Sequence, residues 1–181
     1  MRRLQAATVV LAFFGVQRIG QQPRTPDIHF AATPYAVAEA MLKLARVTAQ
    51  DVVYDLGSGD GRIVIIAAQK FGARGVGIEL DRRLVEVSRQ VAREGAVAGR
   101  VTFIEGDLFT ADISAATVVT LWLSSTVNAR LEPKLKRELR PGARIVSHQF
   151  PIGDWAPAST VRVENEDLFL WTIPERQGSP R

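Results

Sequence analysis

From position 51 onward the chain alternates short apolar or β-branched runs with amphipathic stretches, and that alternation restricts the fold more than any other feature. Residues 51–56 form one such run and end in glycines. A helix is expected over 62–71, with Gly72 as its C-cap. A second strand reads at 75–80. Asp81 then caps a helix carrying Leu84, Val87 and Val91, which ends near Gly95. A third strand is expected at 101–105. A fourth, at 117–123, is almost wholly apolar, as suits a strand buried on both faces. A helical region covers 126–139, with Pro133 expected to divide it. A fifth strand reads at 143–150. Two further runs, 160–164 and 168–173, are separated only by 165–167 and read as a hairpin. Upstream, Thr33 is a candidate N-cap and Pro34 a first helical residue, before an apolar face of Val37, Met41 and Leu44.

Five strands in β-α succession plus a hairpin predict an α/β, Rossmann-like fold. Its seven-stranded sheet is mostly parallel, with helices on both faces and a C-terminal β-hairpin. Ligands of such sheets bind beyond the C-terminal strand ends. The length of 181 residues suits one domain with a core of its own. A composition 46% hydrophobic and 23% charged excludes a disordered chain, a collagen-like repeat and a polytopic membrane protein. The absence of cysteine excludes disulfide scaffolds, thiolate metal sites and cysteine nucleophiles. With only His29 and His148 as histidines, no metal site is expected. The net charge of +4 permits contact with an acidic surface without demanding it.

The first residues differ from the rest. Arg2 and Arg3 precede an apolar run over 6–16, shorter than the roughly 20 residues that span a bilayer. It is followed by Gln17, Arg18 and Ile19 rather than by a small-residue cleavage site. A membrane-directed segment, a cleaved signal and a packed tail are the three readings. The division expected is 1–27 as apolar segment and linker, 28–174 as the catalytic domain and 175–181 as a tail.

The strongest motif is Asp55-Leu56-Gly57-Ser58-Gly59-Asp60-Gly61-Arg62, between a strand and a helix. Glycines there allow a tight turn and close backbone approach to a ligand. The acids around it carry more information. Asp55 and Asp60 flank the glycines, Glu79 ends the second strand and Asp107 follows the third, all expected at one edge of the sheet. A pyrophosphate is repelled by such a set, whereas S-adenosylmethionine, with an ammonium, a sulfonium and no phosphate, is not. Glu79 would then accept the ribose hydroxyls, Asp107 would reach the adenine amino group, and Asp55 or Asp60 would sit near the methionine ammonium, directly or through water. Helix capping is the alternative role for Asp60, and is expected to be the whole role of Asp81.

The segment 51–81, with Gly106-Asp107 after it, resembles the class I (seven-strand) S-adenosylmethionine-dependent methyltransferases. A narrower resemblance rests on Thr33-Pro34, on 53–62, on Pro133-Lys134-Leu135 with Glu138-Leu139, on Pro141-Gly142 and on Val146-Ser147-His148. These are similar to a family of small lysine methyltransferases whose mitochondrial members modify the ATP synthase c-subunit and the adenine nucleotide translocase. The resemblance implies protein-lysine N-methylation with S-adenosyl-L-methionine as cofactor. The chain departs from the family at Trp122-Leu123-Ser124-Ser125, where proline usually follows the fourth strand, and at Gln149, where an acid often follows the Ser-His pair.

The residues expected to touch the cofactor are Thr33, Tyr35, Asp55, Gly57, Ser58, Gly59, Asp60, Glu79, Leu80, Asp107, Leu108 and Trp122. His148 and Ser124 are the candidate catalytic residues, with hydrogen-bonded structure and helix capping as their alternatives; Asn128 and Ser125 are further candidates for orienting an amine. Methyl transfer requires in-line placement of the nucleophile about 3 Å from the methyl carbon, and no covalent enzyme intermediate. A basic stretch, Arg130, Lys134, Lys136, Arg137, Arg140 and Arg144, reads either as a solvated face or as a contact for anionic lipid. The expected partner is a protein presenting a lysine, membrane proteins included, and no nucleic acid. The expected location is cytoplasmic, with attachment to the inner face of the membrane through the N-terminal segment. Competing functions are small-molecule or nucleic-acid methylation and a non-catalytic S-adenosylmethionine-binding module.

Overall fold

A computed structural model describes residues 32–175. The expectations for 1–27, for the domain start at residue 28 and for most of the tail lie outside the described residues. The order is α1 (Tyr35–Leu44), β1 (Val52–Leu56), α2 (Arg62–Phe71), β2 (Arg74–Glu79), α3 (Arg82–Glu94) and β3 (Val101–Glu105). There follow β4 (Val118–Leu121), α4 (Ser125–Glu138), β5 (Arg144–His148), β6 (Ser159–Val163) and β7 (Glu166–Thr172). They build one seven-stranded sheet in the order β3-β2-β1-β4-β5-β7-β6. The first five strands are parallel, and the β6–β7 hairpin joins antiparallel, β7 against β5.

Strand alternation divides the core between the two faces. Val53, Val118 and Val146 meet α1, α2 and α3 on one face. Leu56, Val119, Leu121 and Ile145 meet Val127, Leu131 and Leu135 of α4 and Trp171 on the other.

Several local expectations are corrected. Helix α1 takes Pro34, not Thr33, as N-cap, with no side-chain cap. Thr33 is buried instead, and its carbonyl accepts from Arg62 Nη1 at 2.8 Å. The buried stripe of α3 is Val85, Ser88 and Ala92, and Val87 is turned out to 46% exposure. Small side chains on that stripe let the helix lie close to the glycine loop. Pro133 does not divide α4, which runs unbroken through it. Leu131 and Leu135 anchor the helix on either side, and the carbonyl that proline leaves unpaired belongs to exposed Ala129. The hairpin turn is Glu164-Asn165, both at positive φ (50° and 69°), rather than 165–167. Positive φ at both central residues matches the twist of the flanking strands.

At the N-terminal strand edge, Asp51 ties four segments together. Its carboxylate accepts from Thr48 N (2.8 Å) and Thr117 Oγ1 (2.7 Å) and pairs with Arg144. Arg144 also donates to the Ala45 carbonyl at the end of α1 (2.6 Å). Burial alone would raise the Asp51 carboxyl. The bonds from Thr117 and Thr48 and the Arg144 charge outweigh burial and hold it below its ordinary 3.8. Its stabilisation is therefore present above the unfolded value and lost as pH falls through the lower folded value. Asp51→Asn leaves Arg144 without its anion and is expected to cost about 3 kcal/mol at pH 7. Urea titrations should show this loss, and the variant's stability should fall less steeply than wild type below about pH 4.

Candidate active site

Because five strands run parallel, their last residues, Leu56, Glu79, Glu105, Leu121 and His148, share one edge. The antiparallel β7 brings its first residue, Glu166, to that edge as well. The glycine loop folds over the end of β2. The amides of Gly57 and Ser58 both donate to the Ile78 carbonyl (2.8 and 3.0 Å). The Gly59 amide donates to Glu79 Oε2 at 2.9 Å. Buried Ser88 Oγ donates to the Gly59 carbonyl at 2.9 Å. The turn requires positive φ at alternate residues. Gly61, at +78°, is also the N-cap of α2, and a Cβ there would lie 2.4 Å from Phe103 Cε1.

The four acids singled out in the sequence do gather at this edge, in different states. Asp55 is fully buried and accepts from Thr120 Oγ1 at 2.8 Å. Burial pushes its carboxyl up to about 7; the Thr120 bond opposes this, and the charges of Glu79 and Asp60 add to it. Asp60 is clasped by its near neighbour Arg62, through Nε (2.9 Å) and Nη2 (2.5 Å). The same guanidinium reaches the Thr33 carbonyl and lies 4.9 Å from the centre of the Tyr35 ring. Thr33 and Tyr35 are thereby tied to the glycine loop, and Asp60 is charge-compensated rather than open to a ligand cation. Glu79 accepts backbone bonds at both oxygens, from Gly59 N and from Asp81 N (2.9 Å). Asp107 Oδ1 accepts from Phe109 N (2.9 Å), and Leu108 beside it packs on the α4-side core. Leu80 directly follows β2 and is half-buried.

At the ends of β4 and β5 the structure joins some candidates and separates others. Half-buried Trp122 lies against His148 with ring planes 80° apart. His148 is fully buried, and its Nε2 is 3.1 Å from Glu166 Oε2. Burial lowers the His148 pKa from 6.5, against the raising effect of Glu166. Ser124 Oγ accepts from Val127 N at 3.3 Å and caps α4, its alternative role. Asn128, fully buried on α4, donates to Ser147 Oγ (3.1 Å) and the Phe150 carbonyl (2.9 Å), and so clamps the turn after β5. Sequence reasoning does not single out Thr120, Ser88 or Glu166. None has a local signal, since each acts on a residue distant in sequence.

The basic stretch does not form one open face. Arg144 pairs with Asp51, Lys134 with Glu138 (2.6 Å), Lys136 with Glu132 (2.6 Å) and Arg137 with Glu138 (2.7 Å).

The residues present fit a cationic, phosphate-free cofactor. Ser58 Oγ is buried without a hydrogen-bond partner, the loop exposes no lysine or arginine besides the engaged Arg62, and Asp55, Glu79, Glu105, Asp107 and Glu166 gather at the edge with Asp60. Comparison with known proteins agrees. The family model described as the ANTKMT methyltransferase domain matches residues 55–159. The chain is 43% identical over 158 residues to a protein-lysine N-methyltransferase of Saccharolobus islandicus, covering 84% of this chain and 98% of that protein. It is 37% identical over 138 residues to the human lysine N-methyltransferase of the ATP synthase c-subunit, covering 74% of this chain but only 58% of that protein. A crystal structure described as an RNA methyltransferase of Salinibacter ruber, in complex with S-adenosyl-L-homocysteine, matches with a TM-score of 0.80 and 54% identity. It covers 83% of this chain and 98% of that one.

Asp55 generates a prediction with a sign opposite to Asp51. Its folded pKa is raised, so the native state holds the extra proton between about pH 4 and 7, and stability falls as pH rises through that window. The Asp55 share of this slope is up to about 1.4 kcal/mol per pH unit. Asp55→Asn keeps an acceptor for Thr120 and should abolish that share. At pH 8 the variant should be more stable than wild type to urea, while calorimetry should show S-adenosylhomocysteine binding weakened about tenfold or more.

Proposed function

Since the chain belongs to the family of the ANTKMT methyltransferase domain and is an S-adenosylmethionine-dependent methyltransferase, we propose that it methylates the side-chain amine of a protein lysine. The observation that carries this reading is the charge of the site edge. Asp55, Glu79 and Glu166 lie there, while Lys134, Lys136 and Arg137 of α4 are paired with acids. An approaching ammonium is drawn to such an edge, and a phosphodiester backbone is repelled by it.

Residues 28–174 serve as the methyltransferase domain in this reading. Glu79 holds the ribose hydroxyls, Asp107 and Leu108 the adenine, and Gly57, Ser58 and Gly59 line the methionine end, Ser58 through its unpaired Oγ, since the three amides are already bound to the end of β2. Asp55 is the loop carboxylate for the ammonium, because Asp60 is committed to Arg62. Leu80 and Trp122 supply apolar walls, and Thr33 and Tyr35 flank the methionine end through the Arg62 tether. Bound S-adenosylmethionine supplies an electrophilic methyl group. A lysine amine ordinarily titrates near 10.4; desolvation and an adjacent positive charge both favour its neutral form, so a strong general base is not required. Trp122 and His148 line the approach of the amine, and Ser124 caps α4.

A membrane-protein acceptor is supported by the human relative whose name specifies the ATP synthase c-subunit. The expected arrangement is the catalytic domain at the cytoplasmic face of a membrane, with the segment before residue 28 in contact with it. No helix of the described residues is long and apolar enough to cross a membrane. Methylation of RNA is the second reading, favoured by the description of the Salinibacter ruber structure.

Purified protein incubated with methyl-labelled S-adenosylmethionine and separated membrane, soluble-protein and RNA fractions tests both. Label recovered after acid hydrolysis as methyl-lysine, with most in the membrane fraction, is the expected result. Label confined to RNA overturns the lysine assignment and keeps the fold and cofactor.

A further inference from the structure

Three side-chain atoms among the described residues are buried with no hydrogen-bond partner: Ser58 Oγ, Asn128 Oδ1 and His148 Nδ1. The first belongs to the glycine loop. The second sits on an amide whose nitrogen already clamps the turn after β5. The third is the informative one, because the other nitrogen of the same ring is engaged. Glu166 Oε2 lies 3.1 Å from His148 Nε2 and also accepts from Gln149 Nε2 at 2.5 Å. A carboxylate only accepts, so Nε2 must carry the proton. Among the described residues Glu166 is the charged group that acts on the ring, and burial opposes the ring's protonation. The lone pair is therefore on Nδ1, inside the protein, at the strand end where the acceptor amine is expected. Leaving such an acceptor unpaired costs about 1–3 kcal/mol.

The backbone beside it is strained as well. Gln149 adopts φ +62°, a left-handed conformation unfavourable for a side chain with Cβ. It is held there by its amide bond to the Asp167 carbonyl (2.7 Å) and by its side-chain bond to Glu166. Strain of this kind persists where the surroundings over-determine it, and it concentrates at functional sites. The hairpin thus supplies the acid that position 149 lacks.

We propose that Glu166 is a positioning residue: it locks His148 in the Nε2–H tautomer, so that Nδ1 receives an N–H of the acceptor amine. Half-buried Trp122, lying across the ring, is the side chain that shifts to admit it. No proton transfer to the ring is involved. The inference rests on the lysine reading, since Nδ1 as an acceptor needs a donor-bearing nucleophile.

The chain has two histidines, so the imidazole nitrogen NMR spectrum of the full-length protein is simple, and His29→Gln assigns it. With S-adenosylhomocysteine bound, His148 of the wild type should be neutral at pH 7 and in the Nε2–H tautomer. Glu166→Gln, able to donate instead, should mix or reverse the tautomer. It should lower kcat on the labelled lysine acceptor about tenfold or more and alter its pH profile, leaving S-adenosylhomocysteine affinity unchanged. Glu166→Asp, which keeps a carboxylate, should restore part of the tautomer preference and of kcat, and it replaces the glutamine variant if that one does not fold. An Nδ1–H tautomer in the wild type overturns the proposal. So does Glu166→Gln with unchanged kcat and pH profile on a lysine acceptor, an outcome that leaves the lysine reading intact. Label confined to RNA removes the lysine reading, and with it the amine as partner of Nδ1, whatever the tautomer.

Discussion

The carbonyl of Ile78 holds the site together. It accepts two consecutive amides, from Gly57 and Ser58, while the neighbouring Glu79 carboxylate takes the amide of Gly59. Three donors of the glycine loop are thereby bound to the end of β2. This arrangement exists only because β1 and β2 are adjacent and parallel, with Leu56 beside Ile78. From it follow the direction in which α2 departs, the burial of Asp55 beneath the loop, and the tie from Arg62 back to Thr33 and Tyr35. A site of this kind is organised mainly by backbone donors, whose positions are set by the sheet rather than by side-chain rotamers.

The two ends of the sheet treat the same residue type in opposite ways. Asp51 and Asp55 lie four residues apart on one short segment, both with side chains largely withdrawn from water. At one end, Thr48, Thr117 and Arg144 supply enough donors to keep the Asp51 carboxyl ionised below its ordinary range. At the other, Asp55 has one hydroxyl donor and two acidic neighbours, and its carboxyl rises. The first end is compensated and structural. The second is left short of positive charge. A protein with a net charge of +4 thus gathers acids at its site edge, while Lys134, Lys136 and Arg137 of α4 are engaged in pairs.

Legibility followed the range of the interaction. Gly72 terminates α2 with φ +69°, and Asp81 caps α3 by accepting from Arg83 N at 2.8 Å, both as read from the residues alone. These are contacts within two or three positions. Thr33 misled, because its capping tendency competes with a guanidinium 29 residues away that holds its carbonyl. Pro133 misled because core leucines on either side stabilise α4 by more than one missing hydrogen bond costs. Asp60 was legible as an acid of the loop but not as half of an ion pair, although its partner is only two residues on.

The sequence by itself determined the fold class, the parallel order of chemistry along it, the glycine loop with its acids, and the methyl donor those acids admit. It did so because β-α alternation, glycine spacing and charge are properties of consecutive residues. The tertiary structure decided which acids are engaged by neighbours and which side chains meet at the strand ends. Arg62 withdraws Asp60, Thr120 receives Asp55, and the antiparallel return of β7 sets Glu166 against His148 across 18 residues. Those outcomes depend on strand order and register, which bring together side chains whose separation along the chain carries no trace of their contact.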